Sequence, residues 1–209
     1  LISAKCLSLL GPEYAIIRTE FYQLREQSLA RRVDPVFQRL LIFLGGSDPQ
    51  NETSKVLEGI TISKRNWKHI DIVIGQGSHY LETLNYLIAN IPSSQLHIQT
   101  NDMAELMAKA DLAITAGGSV TWEKCTLGLP SLVVIRGSNQ YPIATRMHAL
   151  GAHLVLGSPE DLSPDDYASS IDSLRLTDLS SMSTASSKLC DGNGIEFLAN
   201  SLTFYLDQN

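Results

Sequence analysis

The sequence has little cysteine. Cys6, Cys125 and Cys190 are its only three, widely spaced, and no two form a CxxC pair. An odd, scattered set excludes a disulfide scaffold and a thiolate zinc site, and it fits a reduced cytoplasmic protein with inert thiols. Long apolar runs are missing as well. No uninterrupted stretch approaches the roughly 18 residues of a membrane-spanning helix. The opening LISAKCLSLLGPEY lacks the positive start and long apolar core of a signal peptide. Positive charge is scarce: 16 Lys and Arg against 22 Asp and Glu give a net charge of −6, which argues against a nucleic-acid partner. The pairs Arg31-Arg32 and Lys64-Arg65 are short and read as solvated surface charge. The five histidines (His69, His79, His97, His148, His153) form no HxH or HExxH pair, so no metal site is expected. GxGxxG, GxxxxGK[ST] and GxSxG are all absent. No dinucleotide fingerprint, Walker loop or nucleophile elbow is present, and no cofactor is expected.

What the chain does have is alternation. Its 209 residues, 44% hydrophobic, repeat an apolar strand, a glycine-rich or polar turn and an amphipathic helix. Strands are predicted at 39–45, 69–75, 95–99, 111–117, 130–135 and 153–157. Asp48-Pro49 reads as a helix start, with Asp capping and Pro in the first turn. A further helix runs from about His79 to Ala89. Asp102 with Glu105 reads as a capping box, and Met103, Leu106, Met107 and Ala110 follow at helical spacing as core. A helix within 139–152 starts near Pro142 and closes at Gly151, and two or three helices finish the chain. SSMSTASSK (180–188) reads as helix or loop. This order specifies an α/β fold, a parallel sheet with helices on both faces.

Residues 1–38 stand apart from the array. KCLSLLG looks like a strand, and the chain opens on Leu1 with an apolar segment already under way. The expectation is that 1–38 are the tail of a preceding domain plus a linker. Residues 39–209 would then form one Rossmann-like domain, whose last helix packs back toward that preceding domain.

Two turns carry the chemistry. Gly45-Gly46-Ser47 and Gly117-Gly118-Ser119 each join a strand's C-terminal end to a helix N-terminus, the edge at which open α/β sheets bind ligands. Glycine lets a ligand approach the backbone, and the helix end offers free amides and a positive dipole. Either could also be only a tight turn. Glu123, one turn into the helix after the second, could accept hydrogen bonds from vicinal hydroxyls such as those of a ribose, or could simply favour the helix dipole. Asn139 and Gln140 lie beyond another strand end, where their amides could meet a phosphate or sugar hydroxyl, or cap a helix.

Together, GPEYAIIRTEF, LLIFLGGSDPQNET, NDMAELMAKADLAITAGGSVTWEKCTLGLPSLVV and the later NQ resemble the UDP-2,4-diacetamido-2,4,6-trideoxy-β-L-altropyranose hydrolase family of bacterial pseudaminic acid biosynthesis, which supplies sugars for flagellin and surface glycans. The likeness runs from about Leu10 to about Gly151. It implies one half of a two-domain GT-B architecture similar to that of the peptidoglycan N-acetylglucosaminyltransferase, with UDP or a UDP-sugar as partner. The resemblance assigns Gly45, Gly46 and Ser47 to the diphosphate or cleft. Thr100 and the loop before Met103 meet the uracil. Gly117, Gly118, Ser119 and Thr121 hold the diphosphate, Glu123 the ribose, and Asn139 and Gln140 lie near the phosphates or sugar. The family's GHxxR-type motif, whose His is its catalytic group, has no counterpart in this sequence. The expectation is therefore a C-terminal portion that binds UDP with little turnover, and whose bared interdomain face favours self-association. A glycosyltransferase half and a non-catalytic UDP-binding module are the alternatives.

Overall fold

The computed structural model of the chain describes residues 8–207. The expected strand in KCLSLLG lies partly outside them, as does Cys6, and residues 8–10 are not in a strand. Helix α1 (Thr19–Arg31) leads into β1 (Arg39–Phe43), α2 (Glu52–Ile62), β2 (His69–Ile74), α3 (Leu81–Ile88), β3 (Ser94–Ile98) and α4 (Met103–Lys109). Then come β4 (Leu112–Ala116), α5 (Val120–Leu127), β5 (Ser131–Val134), α6 (Tyr141–Ala149), β6 (Leu154–Gly157), α7 (Pro164–Ser173), α8 (Leu176–Ser187) and α9 (Gly194–Asp207). The six strands form one parallel sheet in the order β3-β2-β1-β4-β5-β6. This is the doubly wound Rossmann order, and its reversal falls between β1 and β4.

Successive residues of each strand face opposite sides of the sheet, and each side has its own core. Leu40, Ile42, Ile72, Ile114 and Leu132 pack with residues of α2, α7 and α8 on one face. Leu41, Val73 and Ala113 pack with α1, α4 and α5 on the other. The described part of 1–38 contributes to that second core through Ile17 and Phe21.

Three of its arginines explain the attachment, and two of them depart from the expected surface role. Arg32 is buried and donates to the carbonyls of Met107, Ala110 and Leu127, at 3.0, 2.7 and 2.9 Å. It thus satisfies the C-terminal ends of α4 and α5, where unpaired carbonyls accumulate and cations are favoured. Burial pushes its guanidinium down to about 9. Arg31 pairs with Asp111, which also accepts from the amides of Gln38 and Arg39. Arg25 reaches the carbonyls of Ser187 and Cys190. Arg65, also expected at the surface, lies over the Phe37 ring at 3.7 Å and donates to the carbonyl of Leu174, just past the end of α7.

One helix start and one helix cap differ from the sequence reading. Helix α2 begins at Glu52, with Asp48 at φ 38 and Asn51 at φ 53 in the left-handed region. The Asp48 carboxylate still caps it, accepting from the amides of Glu52 and Thr53 at 3.2 and 2.8 Å. In α4 the capping box is absent: Asp102 makes no side-chain cap, and Glu105 pairs with Lys109 at 2.7 Å. No helix among the described residues is long and apolar enough to cross a membrane.

Candidate functional site

Because β1 and β4 are neighbours, with Phe43 opposite Thr115, the two glycine turns emerge side by side at the sheet's C-terminal edge. They border a cleft of about 350 Å³. Of the residues predicted from sequence, Gly46, Thr100, Met103, Ser119 and Glu123 line it. Arg18, Phe43, Val73, Ile74, Gly75, Gln99 and Val120 complete the wall. Gly75 is required by a close approach: its amide bonds the Gly46 carbonyl at 2.8 Å, and a Cβ there would stand 2.7 Å from that oxygen. Gln99, at φ 53, turns the chain out of β3 and over the cleft.

The two turns differ in what they offer. At the first, the anion position of α2 is already filled, because Asp48 takes the leading amides and stands 3.4 Å from the Arg136 guanidinium. Arg136 also donates to the Leu44 carbonyl, so it bridges the ends of β5 and β1 across the switch point. The expectation of free amides after Gly45-Gly46-Ser47 is therefore corrected. Gly45, at φ 101, makes the turn beside Arg136, and Ser47 is exposed outside the cleft wall. At the second turn, Thr121 and Trp122 bond back to the carbonyls of Gly118 and Ser119. The amides of Gly118, Ser119 and Val120 are left without a protein acceptor among the described residues. Ser119 makes no side-chain cap. This helix end is open to an anion.

The other predicted residues surround this end. Gly117 packs against Ala144 and Gln140, and Gly118 faces the Gln140 amide. The Gln140 side-chain oxygen Oε1 accepts from the Arg136 backbone amide at 3.0 Å, and Asn139 is exposed beside Gly137. Thr121 is wholly buried, with its hydroxyl unpartnered and its amide committed to Gly118, so in this conformation it has no direct path to a ligand in the cleft.

Among the described residues, Glu123 is the only carboxylate on the cleft wall. Burial raises its pKa above the ordinary value, Arg18 at 3.8 Å partly offsets this, and Glu20 adds to it. The pair is long and the Arg18 side chain is 45% exposed, so Glu123 keeps oxygen lone pairs for a ligand. The wall thus combines an acceptor for hydroxyls, an open helix N-terminus for an anion, and a strip of Phe43, Val73 and Met103 for a flat apolar body. Arg18, Gly75 and Gln99 were missed because only tertiary packing brings them here. Gly75 alone had a local signal, as a glycine directly after a strand.

Residues 40–196 match the glycosyltransferase family 28 C-terminal domain. The chain is 35% identical over 157 residues to the spore coat polysaccharide biosynthesis protein SpsG of Bacillus subtilis, covering 75% of this chain and 45% of that protein. It is 36% identical over 139 residues to the uncharacterized protein MJ1062 of Methanocaldococcus jannaschii, covering 65% of this chain and 28% of that protein. The chain therefore spans less than half the length of either relative. Its fold is shared with MurG of Acinetobacter baumannii (TM-score 0.67, 18% identity, 86% of this chain and 52% of that one). It is also shared with UDP-GlcNAc 2-epimerase of Neisseria meningitidis bound to UDP-GlcNAc (TM-score 0.63, 17% identity, 90% of this chain and 50% of that one). With its parallel sheet and its match across most of the chain, this protein belongs to the glycosyltransferase family 28 C-terminal domain family.

Proposed function

We propose that the chain is the nucleotide-binding half of a GT-B-like enzyme and that its ligand is UDP or a UDP-sugar. One observation carries this reading: at the switch point a helix N-terminus with three unclaimed amides stands in the same site as a carboxylate that can accept two hydroxyls. The diphosphate would lie on Gly118, Ser119 and Val120, the ribose on Glu123, and the base along Thr100 and Met103. Asn139 and Gln140 would approach the phosphates or sugar, and Arg18 would offer a cation from just before α1.

For the full-length protein we propose hydrolysis of UDP-2,4-diacetamido-2,4,6-trideoxy-L-altrose, with water attacking sugar C1 and UDP leaving. The sequence likeness from about Leu10 to Gly151 supports it, and the relation to a polysaccharide-biosynthesis protein is compatible with it. Residues 39–209 would be the UDP-binding domain, 1–38 the end of a preceding domain with its linker, and α9 would pack toward that domain. The catalytic base would come from the preceding domain, since among the described residues Arg18 and Glu123 are the only ionisable ones lining the cleft. The family's name favours a second reading, sugar transfer to an acceptor.

Titration of the chain with UDP, UMP and CMP, alongside Glu123→Ala, tests the binding claim. UDP should bind in preference to CMP, and the variant should lose roughly 1–3 kcal/mol, the scale of an unpaired buried polar contact. Equal binding of UDP to both proteins refutes the ribose role. With full-length protein, UDP release without an acceptor supports hydrolysis, and strict acceptor dependence supports transfer.

A further inference from the structure

Lys124 is 2% exposed, on α5, and among the described residues it has no carboxylate partner. Its ammonium donates to the Thr115 hydroxyl at 2.7 Å, a neutral acceptor. The other buried charges are compensated: Asp48 by Arg136, Asp71 by Arg39, Asp111 by Arg31, Glu52 by Lys55, and Arg32 by three carbonyls. A buried cation without a counter-charge is strongly unfavourable, so its retention calls for a compensating anion.

The position of Lys124 indicates where that anion would sit. Side chains of a helix lean toward its N-terminus, and Lys124 reaches Thr115, two residues before Gly117 on β4. His153, whose pKa is lowered partly by the Lys124 charge, donates from Nε2 to the Ala144 carbonyl at 2.9 Å, and Ala144 is the residue packed against Gly117. The ammonium therefore lies under the open turn. Two strand residues rise roughly 7 Å, which places the charge about 10 Å from an anion on the Gly118–Val120 amides.

We propose that Lys124 is a buried positioning charge for the diphosphate, whose missing counter-ion is the ligand itself. This rests on the nucleotide reading above. At an effective dielectric constant of about 20, a unit charge at about 10 Å changes affinity roughly tenfold, and a second phosphate adds to a first. The titratable and charged groups around Lys124 are Cys125 and Glu123 on α5, His153 before β6, and Arg25 and Cys190 behind Cys125. Burial holds Lys124 down to about 8, the Cys125 thiol at about 12 and His153 at about 3, so Lys124 is the group of these that changes charge just above neutral pH. Ligand binding there should raise its affinity for protons.

The experiment compares uridine, UMP and UDP on the chain and on Lys124→Met. It also follows the Lys124 side-chain carbon resonance through pH 7–10 with and without UDP. The expected result is a roughly tenfold loss for UDP, a smaller loss for UMP, none for uridine, and a lysine midpoint that rises when UDP is present. Equal losses for all three ligands, no loss, or an unmoved midpoint overturns the proposal while leaving the nucleotide site standing. If the unaltered chain binds none of the three, the nucleotide reading falls with it.

Discussion

Asp48 gives the most searching test of the architecture beside the cleft. Its carboxylate is buried, caps α2 through two amides and faces Arg136, whose side chain is only 10% exposed. Asp48→Ala removes three things at once. Losing an N-cap costs about 0.5–2 kcal/mol. A non-glycine residue without a polar side chain in the left-handed region adds about 1 kcal/mol. Stranding a buried guanidinium costs about 3–5 kcal/mol when nothing else holds it, but Arg136 keeps the Leu44 carbonyl, so about 1–2 kcal/mol is reasonable here. The total is about 3–5 kcal/mol. At about 2–4 °C per kcal/mol for a chain of this size, Tm should fall by roughly 6–20 °C. Asp48→Asn separates the contributions, because asparagine caps well and tolerates the left-handed region. It should lose only the charge interaction, roughly 2–8 °C. Scanning calorimetry of the three proteins measures this. A fall of less than about 2 °C for Asp48→Ala, or equal falls for both variants, refutes the reasoning.

Other expectations follow from the same structure. His153 is buried neutral, with its pKa lowered from 6.5 to about 3, mainly by burial. The unfolded chain takes up this proton first as pH falls below 6.5, so stability should drop by up to about 1.4 kcal/mol per pH unit there. His153→Gln should flatten that slope in urea titrations. Burial also raises the Glu123 pKa, so the ionised side chain opposes folding above its folded pKa. Glu123→Gln should raise Tm slightly at pH 7 while weakening UDP binding, and a lower Tm would contradict this. Gly75→Ala places a Cβ 2.7 Å from the Gly46 carbonyl. It should weaken UDP binding while α-helical circular dichroism stays unchanged.

Much of the fold was legible because each strand's apolar run ended on a polar or glycine-bearing turn and each helix carried an apolar stripe. Strand order was not legible, since nothing local in 39–45 or 111–117 says that they pair. That pairing is what sets the two glycine turns side by side. The local Asp48-Pro49 rule put the start of α2 too early, because Asp48 must also reach Arg136, a contact 88 residues away in sequence. The Asp102–Glu105 box lost to the Glu105–Lys109 pair one turn on. Arg31, Arg32 and Arg65 read as surface charge because their partners, the Asp111 carboxylate and the carbonyls at helix ends, come from distant segments. At the site, Ser119 and Glu123 were readable from one turn and its helix, whereas Arg18 enters from just before α1 and Gln99 from just after β3.

The central claim is that UDP lies at the N-terminal end of α5, not of α2. A crystal structure of the chain with UDP tests it most directly. Phosphate oxygens should lie within about 3 Å of the Gly118, Ser119 and Val120 amides, with the ribose hydroxyls on Glu123 and Asp48 still paired with Arg136. A diphosphate bound at Gly45–Ser47 with Asp48 displaced, or a nucleotide bound outside this cleft, would contradict it.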